Sequence, residues 1–233
     1  MHEILNIQNL SVTFRSKGGV VHALKSIGFS LNEGDVLALA GESGSGKSTV
    51  ANALVGLVPW ERGGTYELFG EKINPYRKKS FSVVRSKMQM AFQDPYSSLN
   101  PRNTVLEIVA APLAARKISK TEACKKAKNM LDLVGLSNAD VNKFPHAFSG
   151  GQRQRIGLAR SLVLEPKILI CDEITSALDV SVQAQILHLL NDLRKELSLS
   201  LIFISHDIAV MEIIANRILR LKNGEIIHSR LFA

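Results

Sequence analysis

Residues 41–48 read Gly-Glu-Ser-Gly-Ser-Gly-Lys-Ser, a full match to G-x-x-x-x-G-K-[ST], directly after the apolar run Val36-Leu37-Ala38-Leu39-Ala40. A five-residue run without alternation fits a strand buried on both faces, as in a parallel sheet. Glycines let the backbone after it curl into a cradle whose amides face phosphate oxygens. A helix predicted from about Lys47 to Leu57 adds its positive N-terminal end to that field. Lys47 can reach β- and γ-phosphates, and the Ser48 hydroxyl can hold Mg²⁺. Gly41, Glu42, Ser43, Gly44, Ser45, Gly46 and Thr49 complete the expected cradle. A Gly/Ser-rich surface turn would be the bland alternative, but the strand before and the helix after speak against it. ATP and Mg²⁺ are the cofactors this loop implies.

The rest of the chain alternates strands with helices, which indicates an α/β sheet fold. Leu10, Val12 and Phe14 are expected on one strand face, and Ile27, Phe29 and Leu31 on another after a Gly18-Gly19 turn. Val83 to Phe92 leads into a further strand. Helical periodicity covers Asn103 to Ala115, with Pro112 expected to kink or end it, and then Ser119 to Val134, opened by a Ser119–Glu122 capping box. Ile168–Cys171 and Leu201–Ile204 are buried strands flanking an amphipathic helix from Val180 to Leu197. Ile218–Leu221 and Ile226-Ile227 form a hairpin about an Asn223-Gly224 turn. Residues 94–158 are expected to be a mostly helical insertion.

Asp172 and Glu173 close a buried strand at its C-terminal edge, where open α/β sheets bind ligands. Asp172 is expected to hold Mg²⁺ opposite Ser48, and Glu173 to polarise the attacking water. His206 follows another buried strand and can hydrogen-bond the γ-phosphate. Gln93 ends a strand and can reach metal or water through its amide. Ser149-Gly150-Gly151-Gln152 opens a second helix and forms a second anion grip. One ATP has no need of two grips in one chain, so a head-to-tail dimer is the economical solution. In it, this loop caps the nucleotide held by the other subunit.

With these pieces in order, the chain resembles the ATP-binding subunits of ABC transporters over nearly all its length. Gly41–Ser48 matches Walker A, Gln93 the Q-loop, Ser149–Gln152 the signature motif, Ile168–Glu173 Walker B, Ser176–Asp179 the D-loop and His206 the switch histidine. The resemblance implies a P-loop NTPase (RecA-like) core, residues 1–93 and 159–233, with an antiparallel β subdomain and the helical subdomain 94–158. It also implies that Phe14 stacks on adenine, although a core strand residue is the competing reading. Ser149, Gly150 and Gly151 would touch the γ-phosphate in trans, and Asp179 would cross the dimer interface. The helical insertion would receive a coupling helix from a membrane subunit near Gln93.

Phe92–Arg102, Phe144–Arg155 and Thr175–Gln185 are similar to the corresponding stretches of dipeptide, oligopeptide and nickel importers. The implied partners are membrane permease subunits, a second identical or paralogous ATPase and, indirectly, a substrate-binding protein. The expected location is the cytoplasmic face of the membrane. Ile174 departs from the proline usual after the glutamate. The chain also stops soon after Ile227, whereas many peptide-importer ATPases carry a longer tail; a nickel branch or a truncation would look alike.

Composition decides among the remaining classes. The net charge is +8 over 233 residues, but the basic residues are spread out, as on solvated helix faces. No basic tract is interleaved with aromatics, so no nucleic acid is expected as a partner. A soluble ABC ATPase of DNA maintenance or translation is the alternative reading; the coiled-coil insertion, zinc sites or tandem cassettes usual there are absent. No apolar run approaches the ~18 residues of a membrane span. Met1–Ile4 lacks an export signal, and Cys124 and Cys171 lack metal-ligand spacing, which suits a reducing compartment.

Overall fold

A computed structural model describes residues 2–16, 19–92 and 98–232. Two sheets organise them. The first is antiparallel, in the order β2-β1-β4-β5, from β1 (Glu3–Ser16), β2 (Gly19–Asn32), β4 (Thr65–Leu68) and β5 (Glu71–Ile73). The second has the order β10-β9-β3-β8-β7-β6, from β3 (Val36–Ala40), β6 (Met88–Ala91), β7 (Ile168–Asp172), β8 (Ser200–Ser205), β9 (Arg217–Lys222) and β10 (Glu225–Leu231). Strands β9, β3, β8, β7 and β6 run parallel, and β10 returns antiparallel through the Asn223-Gly224 turn. Both turn residues have positive φ, 50° and 80°, as a tight two-residue hairpin requires.

The apolar runs are buried on both faces because each face meets a different layer. Leu37, Leu39, Ile168, Ile170, Ile202 and Ile204 pack toward the antiparallel sheet and α1 (Lys47–Leu54). Their neighbours Val36, Ala38, Leu169, Cys171, Leu201 and Phe203 face the opposite core. That core is built with α3 (Val105–Ala115), α4 (Lys120–Leu133), α5 (Gly150–Leu162) and α6 (Val180–Glu196). Two shorter helices, α2 (Phe81–Lys87) and α7 (Ile208–Ile214), complete the described set. Fully burying one Leu or Ile side chain stabilises the fold by roughly 1.5–3 kcal/mol.

Several sequence expectations are revised. Helix α1 ends at Leu54 rather than Leu57, because Gly56 takes φ +75° and a Cβ there would strike the Phe81 ring at 2.4 Å. Trp60 Nε1 donates to the Ala53 carbonyl (2.9 Å) and the Tyr66 hydroxyl to that of Leu54 (3.1 Å), satisfying the helix end. In the stretch Val83–Phe92 the strand occupies only Met88–Ala91, after α2. Helix α3 runs through Pro112 to Ala115 instead of ending there. Ser119 accepts from the Glu122 amide, while both halves of a capping box form at Thr104–Glu107 and at Ser149–Gln152. On β1, Leu10 and Val12 are buried but Phe14 is 45% exposed.

Candidate functional site

Strands β3, β8 and β7 are neighbours and parallel, so their C-terminal ends share one sheet edge. From that edge emerge the Gly41 loop, Ser205-His206 and Asp172-Glu173. The loop folds tightly: Gly41 has φ +155°, and a Cβ on it would lie 2.5 Å from the Leu221 carbonyl and 2.6 Å from Ser45 Oγ. Gly46 has φ +109°, with the Ala23 carbonyl and Leu24 each at 2.8 Å from a built Cβ. Only glycine fits either place. Gly46 also leaves α1 without a side-chain cap, so the helix's first amides stay open to an anion.

Lys47 is buried, and its Nζ donates to the carbonyls of Gly41 (2.7 Å) and Glu42 (3.0 Å). The same nitrogen stands 3.9 Å from Glu173 Oε1. Ser48 Oγ donates to Asp172 Oδ1 at 3.2 Å. A hydroxyl facing a carboxylate is the hard oxygen pair that suits Mg²⁺. Burial pushes the Asp172 carboxyl up, and the Glu173 charge adds to this; the Ser48 bond and the Lys47 charge oppose it. A divalent cation beside the pair would relieve that penalty. The residues present therefore fit both a triphosphate and its metal.

Glu173 holds φ +49°, a left-handed backbone that a non-glycine residue adopts at a cost of roughly 1–2 kcal/mol. Its amide donates to the Ile204 carbonyl (3.0 Å), so the turn out of β7 is fastened to β8. His206 Nδ1 lies 3.8 Å from Glu173 Oε2, beyond hydrogen-bond length and within ion-pair reach of a protonated imidazole. Ile174, in the position of the usual proline, is buried in the core.

A cleft of about 730 Å³ opens over the loop. Ser43, Gly44, Gly46, Lys47, Ser48, Thr49 and Glu173 line it, together with residues that no motif pointed to: Val20, Val21, His22, Ala23 and Lys25 of β2, and the Asn223-Gly224 turn. The turn is held there because the Gly224 amide donates to the Ser45 carbonyl (3.1 Å) and its carbonyl accepts from Lys25 (2.8 Å). Phe14 is not among the lining residues; it stands across the ladder from Val21, which is. Its exposure argues against the core reading.

Four further candidates, Ser149 to Gln152, also lie outside this cleft. The Ser149 side chain caps α5, accepting from the Gln152 amide (3.3 Å), while Gln152 Oε1 accepts from the Ser149 amide (2.9 Å). Gly151 presses on α6, where a Cβ would meet Val182 Cγ1 at 2.5 Å. Asp179 is exposed and caps α6, accepting from the Val182 amide (2.9 Å) and the Ser181 hydroxyl (2.7 Å), which holds its carboxyl below the usual range. Gln93 lies outside the described residues.

A family profile described as "ABC transporter" matches residues 24–176. The oligopeptide transport ATP-binding protein OppF of Escherichia coli is 46% identical over 93% of this chain and 68% of its own length. OppF of Haemophilus influenzae is 44% identical with the same coverage. The chain thus spans about two thirds of these relatives. Among solved structures, a dimeric post-hydrolysis state of the ATP-binding cassette MJ0796 bound to ADP and Pi matches with a TM-score of 0.86. The two are 30% identical, over 99% of both chains. Clostridium perfringens cbiO1, part of the ABC transporter complex cbiONQ, has the same TM-score and identity over 98% of this chain and 88% of that one.

Proposed function

The chain belongs to the ABC transporter family, an ATPase by its cassette, and we propose that it powers a peptide importer as one of two cassettes closed head-to-tail around two ATP. The observation that carries this reading is a division of the site. Residues of the phosphate loop and Glu173 line one cleft, with Asp172 bonded to its Ser48, while the Ser149–Gln152 grip lies outside it on the same chain. A second copy is the natural source of the missing cap, and the similar MJ0796 cassette is dimeric.

In this reading Lys47 transfers donors from the Gly41 and Glu42 carbonyls to the β- and γ-phosphate oxygens. Ser48 and Asp172 would hold Mg²⁺, which would supply charge neutralisation at the phosphates. Glu173 orients the attacking water and takes its proton, and His206 steadies Glu173 and the γ-phosphate. Ser149, Gly150 and Gly151 of the second copy close over the same phosphate, and Asp179 packs beside the opposite site. Phe14, at the outer end of β1, stacks on the adenine. Gln93 is assigned to metal or water.

Both relatives above are oligopeptide transporters by name, so peptide cargo is favoured over nickel. No helix among the described residues is long and apolar enough to cross a membrane, which suits a subunit that works against separate permeases. Their coupling helix has a candidate seat in an apolar groove of about 360 Å³ that includes Leu57, Met88, Phe92 and Pro112, with Arg85 and Arg116 also lining it. We assign residues 94–158 to the helical unit, which lends Pro112, Ala115 and Arg116 to this groove, although α5 continues unbroken past 158.

Glu173→Gln tests the chemistry. ATP binding should persist, turnover should fall by roughly 10²–10⁴-fold, and ATP should trap a dimer visible by sedimentation. Turnover at the native rate would remove Glu173 from the role of base.

A further inference from the structure

Helix α5 grips an earlier part of the chain at two points with consecutive residues. Ser161 Oγ, buried in the helix's last turn, donates to the Met90 carbonyl of β6 at 3.0 Å. The guanidinium of Arg160, half-buried, donates from Nη1 to the Ser98 carbonyl. Met90 and Ser98 stand on either side of residues 93–97, so one helix end holds both flanks. Arg160 and Ser161 belong to no motif that binds nucleotide.

The other end of α5 is seated as firmly. Gly151 fits against Val182 with no room for a Cβ, and Gly150 lies close to Leu178. Val182 in turn donates to Asp179, and the Ser176 hydroxyl donates to the Glu173 carbonyl (2.9 Å). A continuous set of contacts therefore runs from Met90 and Ser98, along α5, to the Ser149 loop and on to the turn that holds Glu173.

A thirteen-residue helix is about 20 Å long and stiff, so a tilt of about 5° at one end moves the other by nearly 2 Å. A displacement of about 1 Å at reacting groups can lower a rate about 100-fold. We propose that Arg160 and Ser161 are positioning residues: by pinning the Met90 and Ser98 carbonyls to the end of α5, they set where Ser149–Gly151 lands on the nucleotide of the second copy. The inference rests on the trans role of that loop. It adds a lever joining the strand beside the apolar groove, which Met90 lines, to dimer closure.

The test uses the full chain in a Glu173→Gln background, with ATP-driven dimerisation read by sedimentation and monomer affinity by a fluorescent ATP analogue. Arg160→Met keeps the apolar stem and removes the donors. It should raise the ATP concentration for half-dimerisation by about tenfold, with monomer affinity within about twofold. Arg160→Lys, with one flexible donor, should recover part of the shift. Ser161→Ala, a small deletion that keeps helix propensity, should move it about threefold in the same direction, and decides the matter if Arg160→Met does not fold. An unchanged ATP dependence in either variant, or a loss of monomer affinity equal to the loss of dimer, overturns the inference while leaving the trans reading intact. Failure of Glu173→Gln itself to dimerise sinks the trans reading and this inference together.

Discussion

Asp172 combines a buried position, a carboxylate neighbour and, in the proposed function, a task that needs its charge. Because burial raises its folded-state pKa above the unfolded value, the native protein binds more protons than the unfolded chain between the two values. Stability from this group therefore falls as pH rises through that window, and the full penalty applies above the folded value. In nucleotide-free, magnesium-free solution, Asp172→Asn should melt higher than the native chain at neutral pH. The gap should close as pH drops below the ordinary aspartate range. Thermal scans across pH check this, and a variant that melts lower, or a gap that ignores pH, contradicts the assigned penalty. The same substitution should abolish magnesium-dependent hydrolysis, as expected of a charge kept for function against stability.

At the scale of elements, α1 matters most, since its N-terminus meets the phosphates in the proposed function and its C-terminus is fixed by two aromatics. Trp60 and Tyr66 stack at 5.4 Å and donate to successive carbonyls of the helix end. Burial pushes the Tyr66 phenol far up, so it stays a neutral donor. Tyr66→Phe should leave the Leu54 carbonyl unpaired and destabilise by about 1–3 kcal/mol, with ATP turnover nearly unchanged below the melting range. Chemical denaturation measures the first, and a large turnover loss with unchanged stability would show that the phenol aims α1 rather than anchors it. Thr104→Ala removes half of a complete capping box on α3 and should cost about 1 kcal/mol.

At the scale of the whole molecule, the phosphate loop, Asp172-Glu173 and His206 share one edge of the six-stranded sheet, and the Ser149 loop lies outside the cleft there. If the other half comes from a second copy, the ATPase rate per chain should rise with protein concentration and level off once pairs saturate. A specific activity independent of concentration, in a sample shown to be monomeric, would contradict the shared site. The Ser149 loop also predicts a split: Ser149→Ala should slow turnover without weakening nucleotide binding to the isolated chain. Equal loss of both would place the loop in its own chain's cleft.

Much of this was legible in residue order. Val36–Ala40 was expected to be buried on both faces and is, and the loop glycines were expected to let the backbone curl; the structure adds that φ and neighbouring atoms exclude a Cβ at 41 and 46. The Asp172-Glu173 pair, the Asn223-Gly224 turn and the ABC resemblance were likewise local signals. What sequence did not disclose depends on contacts between distant elements. The β2 wall of the cleft carries no motif, since side chains there are chosen by a space that exists only after the antiparallel sheet docks beside the loop. The C-terminal turn was recognised as a turn, yet its hold on Ser45 needed β9 to lie next to β3. Helix ends shifted where a tertiary neighbour, such as Phe81 against Gly56, overrode propensity. Residue order alone determined the nucleotide chemistry, because phosphate binding is a property of a short loop. Only the tertiary structure decided which chemical groups share one cleft and which are left outside it, because that depends on which strand ends are neighbours.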